Sequence, residues 1–347
     1  MSTTPPPFEP AGAGASGGSF PVEGLGLEGQ TDVRARGYWE QVWLRFRRDK
    51  VAIASIFFIV FLLLAAFPGA WIAQKLLGHG PNTLFFDGVD DRLIPVGPFS
   101  HVTDPSTGEK QLLILGADGS LGRDEFLRLL YGGRVSLEVA VLSTFGAMTL
   151  GVVLGAIAGY YRGWIDTTIS RVIEITMAFP ALLFIIALAS TVGSRLDSVT
   201  FGVFSQGVIT LVLVFTVFGW FYPARIVRAQ VLSLREKEFV EAARMIGASD
   251  ARIIRSHLLP HLVAPIIVYS TLIIAGYVLG EAGLSFLNLG IKLPTASWGN
   301  LLATAPEYYT AQPWLMVWPG LAVLLTTLAF NLLGDGLRDA FDPRSTQ

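Results

Sequence analysis

Cysteine is missing from all 347 residues of the chain, which excludes disulfides, thiolate catalysis and Cys-ligated metals or iron–sulfur clusters. Only five lysines are present, at positions 50, 75, 110, 237 and 292, and none is followed by Ser or Thr, so there is no Walker A phosphate loop. If the protein performs energy-driven work, another chain must bind the nucleotide. Charge is scarce as well, at 15% of residues, and 25 Lys+Arg nearly cancel 27 Asp+Glu to leave a net charge of −2. No bulk electrostatic attraction to nucleic acid follows from that balance. What remains is apolar: 52% of the residues are hydrophobic, too many for a water-soluble globule, and the chain reads as an integral membrane protein.

Six segments are apolar enough to cross a hydrocarbon core of roughly 30 Å as helices: about 51–73, 135–160, 172–192, 201–221, 262–279 and 314–333. The alternation expected of a β-barrel is missing from them, and helices satisfy every backbone group within their own segment. Residues 1–33 are dominated by Gly, Pro, Ser and Ala and are expected to form a disordered tail. A basic segment and the first span (34–74) follow, then an outer loop (75–134) and a five-helix core (135–338) that includes an inner loop (222–261). A short tail (339–347) ends the chain. With the N-terminus inside, 17 of the 25 positive residues fall on the inner side, seven of them in the 222–261 loop. That excess predicts cytoplasmic N- and C-termini.

The outer loop is expected to hold a hairpin, FSHV and QLLIL flanking the turn-rich TDPSTGEK, and then a short interfacial amphipathic helix in RDEFLRLLYGG. Of the acids near span ends, Glu138 and Glu174 are explained by interfacial solvation as readily as by function. Glu281 is the strongest candidate for a gate or interface residue, because an ionisable group in a membrane helix is costly unless paired. Pro180 and Pro265 interrupt intrahelical bonds and are expected to kink their spans. His257 and His261 lie four apart, but Pro260 lies between them and no HExxH pattern is present, which argues against a metal pair. Ser249 lies in a charged loop and no span contains a histidine to serve as base, so it reads as a helix cap rather than a nucleophile. A secondary transporter would bind its coupling ion at intramembrane acids or broken helices near the midplane, and no acid lies at mid-depth in any expected span.

The inner loop carries the densest pattern. REKEFVEAARMIGASDARIIRSHLLPHL predicts one helix ending near Gly247, with Ser249 or Asp250 capping a second that runs to Pro260. Ala242 and Ala243 are small enough for a second helix to approach closely. The frame is Glu-Ala-Ala at 241–243, three residues, Gly247, nine residues, His257, then Leu259-Pro260. It resembles the EAA motif of ABC importer permeases. RFRRDKVAIASIFF, LGADGSLGRDEFLRLLYGGRVSL, GYYRGWIDTTISRVIEITMAFPALLF, EAGLSFLNLGIKLPTASWGNLL and NLLGDGLRDAFDPR are similar, in order, to stretches of the C-type subunit of dipeptide/oligopeptide permeases. Ala117 departs from that family's Thr, and one residue is inserted near Gly119 and Ser120.

The resemblance implies an all-α membrane protein with six transmembrane helices, the type I ABC importer permease fold and a cytoplasmic coupling helix. It implies that Glu241, Ala242, Ala243, Gly247, Ala248, Leu259 and Pro260 meet the ATPase subunit. It also implies a multi-pass protein of a prokaryotic inner membrane, partnered by a homologous permease subunit, two cytoplasmic ATPase subunits that bind ATP, and an extracytoplasmic solute-binding protein. The cargo so implied is a di- or oligopeptide or related solute, with no cofactor and no bond-making chemistry in this chain.

Overall fold

Asp49 begins the first long helix by accepting hydrogen bonds from Val51 N (2.8 Å) and Ala52 N (3.1 Å), a side-chain cap set just after the basic run Arg45–Arg48. The computed structural model describes residues 37–178 and 207–342, with positions 180, 183, 185–188 and 191 between them. The expected tail at 1–33, most of the third span at 172–192 and the last residues from 343 lie outside the described residues. The chain divides into two compact units, Met1–Gln41 and Val42–Gln347. Only 37–41 of the first are described, forming the start of α1 (Tyr38–Phe46).

Among the described residues, five helices are long and apolar enough to cross a membrane. They are α2 (Lys50–Leu77), α3 (Glu125–Tyr161), α5 (Val208–Leu234), α7 (Asp250–Phe286) and α9 (Trp314–Phe341). Shorter helices are α4 (Gly163–Ala178), α6 (Glu238–Met245) and α8 (Trp298–Thr304). Two small antiparallel pairs complete the described elements: β1 (Ser100–Thr103) with β2 (Lys110–Leu113), and β3 (Ala117–Asp118) with β4 (Arg123–Asp124). The first is the expected hairpin, with Ser100 opposite Leu113. Phe57, Phe61 and Leu64 of α2 remain exposed, as suits side chains that meet lipid rather than water.

The spans differ from the sequence expectation at their ends. RDEFLRLLYGG is not a separate interfacial helix; it forms the first turns of α3, whose 37 residues rise ~55 Å at ~1.5 Å each. Arg123, Asp124 and Arg128 are held in ion pairs, and Gly132 and Gly133 let Ser297 and Trp298 approach the helix closely. Likewise the fourth span runs on to Leu234, and the run after Gly247 does not stop at Pro260 but continues through it into α7. Pro260 occupies the first turn after a π-helical stretch at Ile253–Leu258, where a missing N–H costs little.

Helix α3 organises the rest. α5 packs along it, α7 crosses it, and α9 lies between α7 and α2. The α3–α5 contact is made close by GVVLGAIAG at 151–159: a Cβ on Gly155 would fall 2.5 Å from Ala224 O, backbone against backbone. One apolar core joins α2, α3, α7, α8 and α9 through Leu62, Leu137, Val278, Trp298 and Phe330. A second, formed by Ala156, Tyr160, Val227, Val231, Val240, Ala243, Ile253, Leu258 and Leu262, fastens α6 to the C-terminal ends of α3 and α5.

Candidate functional site

Helix α6 is only eight residues long, so its stability must come from packing and capping rather than from helix propagation. Val240 and Ala243 supply the packing, buried in the core just described. Capping comes from Gly247, whose φ of +83° places it in the left-handed region. Gly247 N donates to Arg244 O (2.9 Å) and Ala248 N to Ala243 O (3.0 Å), the paired bonds of a Schellman ending. No atom lies near a Cβ built on Gly247, so glycine is needed there for its backbone freedom alone. Ala248 closes the motif by packing on the same apolar cluster.

The expected Glu-Ala-Ala face therefore divides. Glu241 and Ala242 are exposed, whereas Ala243, a further ~100° around the helix, turns inward. The tip of the loop carries Met245 at 79% and Ile246 at 86% exposure, two large apolar side chains left bare between charged neighbours. Pro260 is exposed and Leu259 half-buried at the start of α7, on the other side of the bend. Ser249 takes the cap position before α7 with extended backbone, although its side chain makes no capping bond; Asp250 is engaged elsewhere.

That engagement reveals a residue the sequence pattern did not single out. Tyr160, at the end of α3, donates its hydroxyl to Asp250 Oδ1 (2.7 Å), lies under the Arg244 guanidinium (5.3 Å to the ring centre) and accepts a bond from Arg235 through its carbonyl. Both sides of the loop are thus held to one span. Asp166 of α4 forms a bidentate pair with Arg228 of α5, one arm at 2.8 Å, and Arg162 reaches Glu236 (2.6 Å). The Arg228 hydrogen bonds hold the Asp166 carboxyl below its ordinary value. No short-range sequence signal marks these pairs, which join residues more than sixty positions apart.

Glu281 sits near the other end of α7, and the structure places it inside the chain rather than at a mouth. It is 0% exposed and accepts from Ser136 Oγ of α3 (2.6 Å) and Ser285 Oγ (2.7 Å). Ser285 in turn accepts from Ile291 N (3.0 Å), and Trp298 N donates to Ser136 Oγ (3.3 Å). These donors offset the desolvation of the carboxyl and tie α3, α7 and the start of α8 together. Glu138 and Glu174 pair with Arg134 (2.8 Å) and Arg171 (2.7 Å) on their own helices. Pro265 lies within the described α7; residues 179, 181 and 182, which flank Pro180, lie outside the described residues.

A bundle of long apolar helices that presents a small capped helix at one end, held by polar ties to the spans, defines a multi-pass helical membrane protein. Comparison with known proteins gives the family. Residues 151–347 match the family described as "Binding-protein-dependent transport system inner membrane component", and residues 37–90 match "N-terminal TM domain of oligopeptide transport permease C". The dipeptide transport system permease protein DppC of Alkalihalophilus pseudofirmus is 35% identical over 307 residues, 88% of this chain and 90% of that protein. The glutathione transport system permease protein GsiD of Pectobacterium atrosepticum is 37% identical over 313 residues, 90% and 93% of the two chains. GsiD of Escherichia coli O157:H7 is 36% identical over 320 residues, covering 90% and 92%. A solved chain of the inward-facing methionine ABC transporter MetNI aligns with 62% of this chain and 96% of its own, at 17% identity and a TM-score of 0.46. The protein belongs to the binding-protein-dependent transport family of inner membrane components, and its fold is that of the type I ABC importer permeases.

Proposed function

We propose that this chain is the transmembrane permease subunit of an ATP-driven importer, forming half of a translocation path for di- or oligopeptides or a related solute such as glutathione. A homologous permease subunit supplies the other half, two cytoplasmic ATPase subunits bind the ATP, and an extracytoplasmic binding protein delivers the solute. The coupling contact in this reading comprises Glu241, Ala242, Gly247, Ala248, Leu259 and Pro260. Ala243 serves it from within by seating α6. The observation that carries the reading is the bare Met245–Ile246 tip on a helix otherwise anchored by Val240, Ala243 and Tyr160. An exposed apolar knob on a rigid mount is what an interface hot spot requires. The positive charge gathered at this end supports the same orientation, with loop and termini in the cytoplasm.

When nucleotide draws the ATPase subunits together, the two coupling helices of the permease pair move with them and the spans exchange inward for outward access. This chain supplies no bond chemistry; it converts a displacement at α6 into a rearrangement of α3, α5 and α7. The test is to replace Glu241 by Lys and Ile246 by Asp, purify the complex from its native membrane, and measure retention of the ATPase chains. Uptake of dialanine and of glutathione into intact cells is measured alongside. Loss of retention and uptake is expected, and unaltered assembly with unaltered uptake would sink the coupling role.

A further inference from the structure

Between α5, the first half of α7 and the end of α9 lies an open cleft of about 750 Å³, within the size range of small-solute sites. Gln230, His261, Pro265, Tyr269 and Arg338 are among the residues that line it. His261 has a second contact: its ring lies flat on Phe239 of α6, with centres 5.1 Å apart and planes 8° from parallel. One imidazole therefore touches both the helix that faces the ATPase and the wall of the cleft.

The covalent route between the same two places is irregular. From α6 the chain passes the left-handed bend at Gly247, the extended Ser249 and a π-helical stretch at Ile253–Leu258 before it reaches His261. The apolar cluster seats the inner face of α6 on α3, on α5 and, through Ile253, Leu258 and Leu262, on the first turns of α7, while Phe239 leaves that face sideways to meet His261 at the cleft wall. We propose that His261 is a positioning residue whose stack on Phe239 ties α6 to the wall of the cleft, so that nucleotide-driven movement of α6 and the shape of the cleft change together. The inference rests on the coupling reading above and assigns the contact that carries it to the cleft.

The absence of cysteine makes the test direct. Leu272, another residue of the cleft wall, is replaced by Cys, and the rate of maleimide labelling is measured on the complex purified from native membranes, with and without ATP and vanadate. With His261 intact, nucleotide is expected to change the rate about fivefold or more. His261→Ala is expected to reduce that change to less than about twofold, His261→Phe to restore it by keeping the stack, and Phe239→Leu to match His261→Ala. A nucleotide effect that survives both His261→Ala and Phe239→Leu overturns the inference while leaving the coupling reading intact, as does a disagreement between those two variants. No nucleotide effect even with His261 present overturns the coupling reading itself.

Discussion

The two ends of α3 use the same kinds of residue to opposite purposes. At its start, Asp118 lies between Arg123 (3.1 Å) and Arg128 (2.5 Å), Arg128 also donates to Asn82 Oδ1 (2.9 Å) and Pro294 O (3.1 Å), and Asp124 caps the helix while holding His79 (2.9 Å). These ionic side chains are enclosed, with His79, Asp118, Arg123, Asp124 and Arg128 all buried. At its far end, Glu238, Glu241, Arg244, Arg252 and Arg255 stand in solvent around a bare apolar tip. Charges paired inside one chain fasten that chain to itself; under the coupling reading, charges left outside around exposed apolar groups await a second chain. The enclosed end belongs to α3 itself, whereas the exposed end is built by α6 and the first turns of α7 beside Tyr160 at the close of α3.

The largest effect is expected from breaking the closed end. Arg128→Ala removes one partner of a buried pair and two further donors, and is expected to destabilise the subunit by about 3–5 kcal/mol. Arg252→Ala at the open end is expected to stay within about 0.5 kcal/mol. Thermal unfolding of the two variants in detergent checks both, and similar melting shifts would erase the distinction. Next comes Ile246→Asp, expected to leave unfolding unchanged but to weaken association with the ATPase chains by about 2 kcal/mol, roughly thirtyfold, in a titration of the purified components.

Smaller still is Gly247→Ala. Forcing an alanine into the left-handed region costs about 1–2 kcal/mol, and because α6 is a local unit the loss should appear as faster amide exchange across 238–248 with the exchange of α3 unchanged. The smallest effect concerns the ion pair of Asp166 and Arg228, which remains partly open to solvent. Because the folded state holds the Asp166 carboxyl below its ordinary value of 3.8, its contribution is present above that value and is lost as the pH falls through the lowered one. Below pH 3.8 the unfolding free energy should therefore decline slightly less in Asp166→Asn than in the parent chain, by under about 1 kcal/mol. An equal acid dependence would show that the pair contributes nothing measurable.

Much of this was readable in the order of residues. Apolar run length located the spans, and the spacing around Glu241, Gly247 and Pro260 located α6 and its bend, because both depend on local periodicity and on one left-handed glycine. Helix ends were less legible. Arg123 and Arg128 look like residues of an interfacial segment until their partners Asp118, Asn82 and Pro294 are in place, and Pro260 looks like a stop until the π-turn before it is seen. GVVLGAIAG at 151–159 is a readable signal of close helix packing, and its partner on α5 is what the structure adds.

The contrast between the ends of α3 follows the same division. Composition, run lengths and the Glu-Ala-Ala frame by themselves determined that the chain spans a membrane, lacks a nucleotide-binding loop and carries a short capped helix in its most basic loop. Only the tertiary structure decided which polar residues are spent inside the chain: Glu281 on Ser136 and Ser285, Asp250 on Tyr160, His261 on Phe239. Local pattern depends on neighbours a few positions away, whereas desolvation and pairing depend on partners that only folding brings within 3 Å or so.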